Sequence, residues 1–538
     1  MQVKRKFRFI LSCFLLFTLA VRAQTGTLVF NDTILHEIRL QFTYSAWFDS
    51  LTLDYQLNAT DTANAFPERN FACVMSFDNI VLDSVGMRER GNFSNISTTY
   101  TSNGYKKPFK LNFNAFRGNQ TFDGLKSLNL NNGTDDPSFV REALVYKLLR
   151  EQGIPACRTS FAKLYVNNVY WGLYELVENV DKTFLKDHYG SANNDGNLYK
   201  TGRNAHVDLS YLGSDPYSYE TQGLLLKTNE SVNNWTNMLR FIYLLNNTPS
   251  SEMEQVLESV FDVHEYLKVL AIEVLCYSWD SYWGGGNNFY LYEHPDGKIR
   301  WIPWDFNETF TTHNTFLSLV LPKESDIFLS SHIDSRPLLK AVFSVRKWQD
   351  EYLGNICDLC TNAYWSPLIA PTLNRWHDLI RPALLNDTNA LGSMQSFDLS
   401  LTTDMDNLYQ IPSNGVSFNI SVPGLLPYIA QQRSWAVHEI KFQGGSCPLS
   451  DVDPSQYSST VYPNPTTDDI YVKWDALSTD VYQLWIFNTL GEKVMSTGWI
   501  VNDAQVAHIN VATLPKGFYI IKKQDADGFW ALGKFIKY

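Results

Sequence analysis

After its first 23 residues this 538-residue sequence has no run of 18 uninterrupted apolar residues, which leaves no candidate transmembrane helix. Positive charge is short. There are 44 lysines and arginines against 56 aspartates and glutamates, a net charge of −12. That balance argues against nucleic acid or an anionic membrane as the main partner and suits a basic protein substrate better. Cysteine is scarce: of seven, six follow the N-terminal stretch. Cys357-Asp-Leu-Cys360 is a C-x-x-C, but Cys447 alone supplies no second ligand pair, which excludes a zinc ribbon. A local disulfide or two reduced cysteines suit that segment better than a redox site. His332, His377 and His438 are scattered, without metal-ligand spacing. The triplet Gly284-Gly-Gly286 does not match G-x-x-x-x-G-K-[ST], so no P-loop is present.

What is there begins with an export signal. Lys4, Arg5, Lys6 and Arg8 precede an apolar run from Phe9 to Val21 that is too short to span a bilayer. Val21-Arg22-Ala23 fits a small-residue cleavage site, with a mature start near Gln24. Cys13 lies too early in the run to be a lipoprotein cysteine. Hydrophobic residues make up 44% and aromatics 14%, enough for a packed interior. The length exceeds one ordinary domain and predicts a large core plus an appendage.

The stretch 262–310 reads as a helix, a loop and a hairpin. Asp262 is an N-cap candidate with Glu265 three residues on, as in a capping box. Val263, Leu267, Leu270, Ala271, Val274 and Leu275 recur at helical spacing, and the helix is expected to run to Trp279-Asp280. Two strand-like runs, Asn288–His294 and Lys298–Asp305, meet at Asp296-Gly297, a two-residue hairpin signal. That register sets Glu293 opposite Arg300 and Asn288 opposite Asp305, with Cβ atoms about 4.5–5.5 Å apart on one face. An amide oxygen and a carboxylate so placed suit a hard cation such as Mg²⁺. Pro303 lacks an N–H and predicts an edge or a break. Asp280, near the helix C-terminus, is expected to be somewhat basic. A basic carboxylate, then an Asn, then a metal-binding Asp is the order protein kinases use. The plainer reading is a capped helix, a glycine loop and a hairpin with exposed polar residues.

Asp280…Asn288-Phe-Tyr-Leu-Tyr and Ile302-Pro-Trp-Asp305-Phe-Asn resemble the catalytic core of the spore coat protein H (CotH) kinase family, atypical protein kinases that are secreted or surface-associated. The resemblance implies Asp280 as catalytic base and Asn288 and Asp305 as metal ligands. Two departures stand: a longer loop between Asp280 and Asn288, and Asn307 where the family often has a second Asp. Upstream, Arg90-Gly91-Asn-Phe-Ser94 followed by Lys106-Lys107 also resembles the family, which makes Arg90 and Lys107 candidates for ATP contact; the plainer alternative is a solvated basic rim. Asp136-Pro-Ser138-Phe-Val-Arg141-Glu through Gly172-Leu-Tyr-Glu175-Leu-Val-Glu178-Asn-Val-Asp181 matches it as well. Glu178 is implied as the carboxylate partner of a phosphate-binding lysine, and Arg141 has an ionic role in the same lobe or pairs on a helix surface. Pro137 suits the first turn of a helix, with Ser138 or Asp136 as cap. Phe161–Val166 and Val169–Tyr174 form a hairpin at Asn167-Asn168.

Residues 190–235 read as an insertion or long loop, a candidate lid. Residues 335–445 read as a helical C-terminal lobe. Gly444 to Ser455 is linker material. Beyond it, period-two alternation with short turns predicts a small β-sandwich. Tyr462-Pro-Asn-Pro465, Asn488-Thr-Leu-Gly491, Leu514-Pro-Lys-Gly517 and the ending Gly533-Lys-Phe-Ile-Lys resemble the C-terminal sorting domain of the Bacteroidetes type IX secretion system. That resemblance implies the type IX machinery as a partner, export across the outer membrane, and release or surface attachment.

The expectation is an α+β chain: signal peptide 1–23, an atypical two-lobed kinase-like domain 24–445, a linker 446–457 and an all-β sorting domain 458–538. Its expected activity is transfer of the γ-phosphoryl group of ATP to a protein hydroxyl, with Mg²⁺ or Mn²⁺. A surface or adhesion module keeping the fold without catalysis, and a metal-dependent hydrolase, are the alternatives. The acceptor, the disulfide pairing and the oligomeric state are not written in the sequence.

Overall fold

The computed structural model describes residues 25–60, 68–96, 104–202, 205–310, 313–314, 319–320, 326–363, 369–413, 416–442, 445, 447, 459–474, 481–488, 493–497, 500–501, 506–525 and 528–538. The expected signal peptide lies outside them, as does the expected linker apart from Cys447. Among the described residues, no helix is long and apolar enough to cross a membrane.

The chain is mixed α and β. Its first unit is a closed seven-stranded barrel rather than the open sheet of a two-lobed kinase. The strands are β1 (Leu35–Gln41), β2 (Phe71–Phe77), β3 (Ile80–Glu89), β4 (Phe109–Asn112), β5 (Ser127–Asn131), β6 (Thr159–Val166) and β7 (Val169–Glu178). They close in the order β1-β2-β3-β4-β5-β7-β6, with β1 parallel to β6 and the other neighbours antiparallel. Alternation fills the interior with Met87, Phe109, Leu111, Leu128, Leu130 and Leu176, all fully buried. Outside, Arg88 pairs with Lys110, and Lys110 with Asn129. The β6–β7 hairpin turns at Asn167 and Asn168, both left-handed at φ 48 and 65°, as an Asn-Asn turn allows.

Three helices matter for the site: α1 (Trp47–Thr60), α2 (Arg141–Glu151) and α3 (Val263–Leu275). Helix α2 starts four residues later than the expected Pro137. Its N-cap is Val140, which makes no side-chain capping bond; Asp136 instead accepts from Ser138 N at 2.8 Å and from the first helical amide, Arg141 N, at 2.9 Å. Helix α3 starts as expected, with Asp262 accepting from Glu265 N at 3.2 Å. It is buried on nearly every side, so the core surrounds it.

Residues 190–235 are more than a loop. They supply β8 (Leu198–Thr201) and β9 (Leu224–Leu226), which join β10 (Phe289–Glu293) and β11 (Ile299–Pro303) in a sheet ordered β11-β10-β8-β9. Pro303 falls on the edge strand, where its missing N–H is tolerated. The C-terminal portion has helices at Pro337–Ser344, Arg346–Asp358, Ile369–Leu384 and Leu425–Phe442. It also holds an antiparallel pair, Met405–Ser413 with Val416–Val422, that the helical reading missed. Lys106 and Asp387, both fully buried, form an ion pair between the barrel and this portion. Asp387 also accepts from Leu173 N and Asn389 N, each at 2.9 Å.

Cys357 is bonded to Cys447, 90 residues away, and Cys360 is a buried free thiol. The expected choice between a local Cys357–Cys360 bridge and two reduced cysteines is corrected: helix Arg346–Asp358 is tied to the domain's C-terminal end. Closing so long a loop restrains the unfolded chain. Cys357→Ser is expected to cost about 2–5 kcal/mol of unfolding free energy, read as a lower denaturation midpoint. Equal midpoints for oxidised and reduced wild type would contradict this.

Residues 459–538 pack two sheets face to face. Ser459–Tyr462, Asp469–Trp474 and Val506–Asn510 form one; Lys493–Ser496, Val481–Phe487, Gly517–Asp525 and Gly528–Lys537 form the other, with Ile500–Val501 at its side. Ile470, Val472, Leu484, Ile486, Ile521 and Phe535 are the core between them.

Candidate active site

Helix α3 stops at Leu275, five residues short of Asp280, so the helix end does not set the basicity of that carboxylate. Burial does. Asp280 is pushed up to about 7, first by burial and then by the Asp305 carboxylate, against the pull of the Asn288 amide. Asn288 Nδ2 donates to Asp280 Oδ2 at 2.7 Å and to its carbonyl at 3.2 Å. The three residues singled out in the sequence therefore stand together.

They arrive by a different register. Phe289 pairs with Pro303 and Glu293 with Ile299, one residue away from the expected pairing. Arg300 lies opposite Tyr292, and its guanidinium reaches Asp296 at 2.5 Å and Asp262 at 3.2 Å rather than Glu293. The cause is Pro295. In the two-residue turn its nitrogen would have to donate to Lys298. Instead His294 N donates to Lys298 O at 2.9 Å, and Gly297 N closes the turn onto His294 O with Gly297 left-handed at φ 88°. This is a three-residue loop with glycine at its αL position. Asn288 and Asp305 then lie just beyond the paired residues. Both are left-handed, at φ 56 and 63°, a conformation Asn and Asp tolerate best among residues with a side chain.

The glycine triplet wraps this carboxylate. A Cβ on Gly284 would sit 1.9 Å from Trp279 O, and one on Gly285 2.8 Å from Asp280 Oδ1. The inserted segment braces the loop from outside: His206 Nδ1 lies 2.8 Å from Gly285 O, and Val207 N donates to Gly286 O at 2.7 Å.

More acids gather here than the sequence indicated. Glu142 on α2 is pushed up to about 7 by burial and then by Asp305. Glu308 is raised far above its usual range by burial and then by Asp135, with Asp280 and Asp305 adding to it, while burial pushes Asp135 up to about 6. Like charges crowded together in this way favour a cation among them. The hard oxygen donors of Asp305 and Asn288 fit Mg²⁺ or Mn²⁺. Among the described residues, no three His, Cys, Asp or Glu side chains are grouped to hold a metal by themselves, so water or phosphate oxygens would have to complete the shell. Asn307 donates to Thr134 O at 3.4 Å.

The opposite wall is basic. Arg90 donates to Asn131 Oδ1, and Asn131 Nδ2 donates to Glu142 at 2.6 Å. Lys110 donates to Asn179 Oδ1 at 2.9 Å and is pushed down to about 7 by burial, then by Arg88, Lys200 and Arg90. Lys200 on β8 is pushed down to about 8 by burial and then by Arg90, with Asp305 pulling the other way. Its ammonium lies 5.3 Å from the ring centroids of both Tyr290 and Trp304.

Arg90 thus stands at the site, but Lys107 and Glu178 do not join it. Lys107 shares strand parity with Phe109 and Leu111, which point into the barrel, and its ammonium donates to Asn95 O at 2.7 Å. Lys110, of the opposite parity, faces out of the barrel among Arg88, Arg90 and Lys200; the alternation Phe109-Lys-Leu-Asn-Phe113 carried that signal. Among the described residues, Glu178 has no lysine partner. Arg158 holds it through Nε at 2.9 Å and its backbone N at 3.1 Å. Glu142, four residues after Ser138, is a buried acid linked to the basic wall. Lys200 gave no sequence signal beyond its place in the insertion.

The CotH kinase protein family model matches residues 87–436, and a secretion system C-terminal sorting domain model matches 460–537. Among curated proteins, the chain is 26% identical over 199 residues to the inner spore coat protein H of Bacillus subtilis, covering 36% of this chain and 53% of that one. It is 24% identical over 226 residues to Invasin CotH2 of Rhizopus delemar, covering 40% and 36%. Invasin CotH3 of the same fungus is 22% identical over 199 residues, covering 36% and 33%. The chain thus spans about a third to a half of the length of these relatives.

Proposed function

Since this chain belongs to the CotH kinase protein family, we propose that it is an exported protein kinase that transfers the γ-phosphoryl group of ATP to a protein hydroxyl. The observation that carries the reading is a buried carboxyl near neutrality, Asp280, beside Asp305 and across from Arg90, Lys110 and Lys200. A general base works best with a pKa close to the operating pH, and Asp280 accepts the acceptor hydroxyl's proton. A divalent cation held by Asp305 and Asn288 would neutralise charge on the phosphate oxygens. Arg90, Lys110 and Lys200 offset the remaining phosphate charge, which is most of what phosphoryl transfer asks of a protein. The sorting domain supports export through the type IX machinery and attachment at or release from the cell surface.

The test is incubation of the mature chain with γ-labelled ATP and Mg²⁺ or Mn²⁺, with and without a generic protein acceptor. Label on the chain or the acceptor, dependent on metal, is the expected result. ATP hydrolysis without any transfer would favour a hydrolase, and no metal-dependent ATP binding would favour a non-catalytic surface module.

Metal-free ATP binding should also fall with pH. Lys110 and Lys200 are cationic below about 7 and 8 and neutral above, and bound phosphate moves both values upward. Each lost charge-assisted contact weakens binding by about 1.5–3 kcal/mol. Titration calorimetry in EDTA is therefore expected to show at least roughly tenfold weaker binding at alkaline than at mildly acidic pH. A flat profile would remove these lysines from the phosphate site.

A further inference from the structure

The segment that follows the edge strand, Asp305 to Phe310, is held at both ends from α2. Tyr146 hydroxyl accepts from Asp305 N at 3.1 Å, and Glu142 Oε1 lies 3.5 Å from Phe306 N. The rings of Tyr146 and Phe306 meet edge to face at 5.2 Å. Arg141 grips the far end. Its guanidinium, fully buried, donates to Thr309 O at 3.1 Å, Phe310 O at 2.7 Å and Pro423 O at 2.6 Å. Phe310 is left-handed at φ 53°, a conformation unfavourable for a bulky residue and kept only where surroundings impose it. Those surroundings are Arg141, the Cys276 carbonyl that accepts Phe310 N at 2.7 Å, and the Tyr428 ring at 5.6 Å.

We infer that Arg141 and Tyr146 are positioning residues for Asp305: through them α2 fixes the backbone that aims this carboxylate at its cation. The inference rests on the reading of Asp305 as a metal ligand. Its physical content is leverage. A carboxylate on a left-handed residue beyond a strand end has no ladder to hold it, so its direction depends on the carbonyls and amides clamped on either side. A planar guanidinium with several donors can bridge three carbonyls at once, which an ammonium cannot reproduce. The same helix reaches the basic wall through Glu142 and Asn131, so one rigid element sets the distance between cation site and phosphate cations.

The test compares full-length wild type, Arg141→Lys, Tyr146→Phe and Asp305→Ala. Folding is followed by thermal denaturation, Mn²⁺ binding by electron paramagnetic resonance, and ATP binding in EDTA by calorimetry. Loss of groups that orient a metal ligand typically costs about 10–100-fold in metal affinity. The expected result is Mn²⁺ affinity lowered by about that factor in Arg141→Lys and more mildly in Tyr146→Phe, with metal-free ATP binding unchanged. Tyr146→Phe deletes one oxygen and keeps the ring, so it remains informative if Arg141→Lys does not fold. Unchanged Mn²⁺ affinity in the folded variants, with Asp305→Ala defective, would overturn the positioning role alone. Wild type indistinguishable from Asp305→Ala in Mn²⁺ binding would overturn the metal site and this inference with it.

Discussion

Asp280→Asn is expected to lower the turnover of phosphoryl transfer by about 10²–10⁴-fold, the usual worth of a positioned general base. The side chain is nearly isosteric and keeps an oxygen for the Asn288 amide, which approaches at 2.7 Å, so the fold and the KM for ATP should change little. The pH profile discriminates further. Wild type needs Asp280 ionised, so its activity should rise through the pKa of that group, about 7 in the protein without metal and lower with a cation nearby. The variant has no such group, and its residual activity should lack that limb. Equal turnover and the same profile in both proteins would exclude Asp280 as the base.

Asp305→Ala is expected to be as severe, through a different term. It removes a carboxylate proposed to hold the cation, whose charge stabilisation amounts to several kcal/mol, or roughly 10³-fold or more in rate. It also removes a negative neighbour that holds Asp280 up. In the metal-free protein Asp280 should then titrate below its wild-type value of about 7, a shift readable by carbon-13 NMR of labelled aspartate. The sign is fixed: a like charge raises a carboxyl, and its removal lowers it. Glu142, also raised by Asp305, should move in the same direction. Activity in Asp305→Ala close to wild type, or an unmoved Asp280, would contradict both the role and the proximity that underlies it.

The sequence made the central trio legible because three signals coincided: a capped helical period, an Asp-Gly hairpin signal and an Asp280…Asn288…Asp305 order that resembles the CotH core. It misjudged the register because Asp-Gly was weighed without Pro295, whose missing donor moves the turn by one residue. It pointed to Lys107 because the Lys106-Lys107 pair carries the family resemblance, whereas strand parity turns Lys107 inward and Lys110 outward. It pointed to Glu178 because the acid lies in a block that resembles the family, but its partner in space is Arg158. The barrel was not legible at all. Closure depends on β1 lying parallel to β6, a pairing between distant segments that no local pattern encodes. Lys200 was missed for the same reason, since an insertion rich in polar residues gave no sign that its strand would join β10.

The buried pair of Lys106 and Asp387 constrains how the barrel can move against the C-terminal portion. Gly172, at φ 134°, runs so close beneath it that a Cβ there would strike both side chains, so the backbone is packed directly against the pair. Separating the two charges without water would strand each in apolar surroundings, and breaking such a pair costs about 3–5 kcal/mol. A motion that parts barrel from helices at this point is therefore disfavoured, whereas rotation about it leaves the pair intact. The ion pair acts as a pin that holds the barrel to the C-terminal portion of the chain.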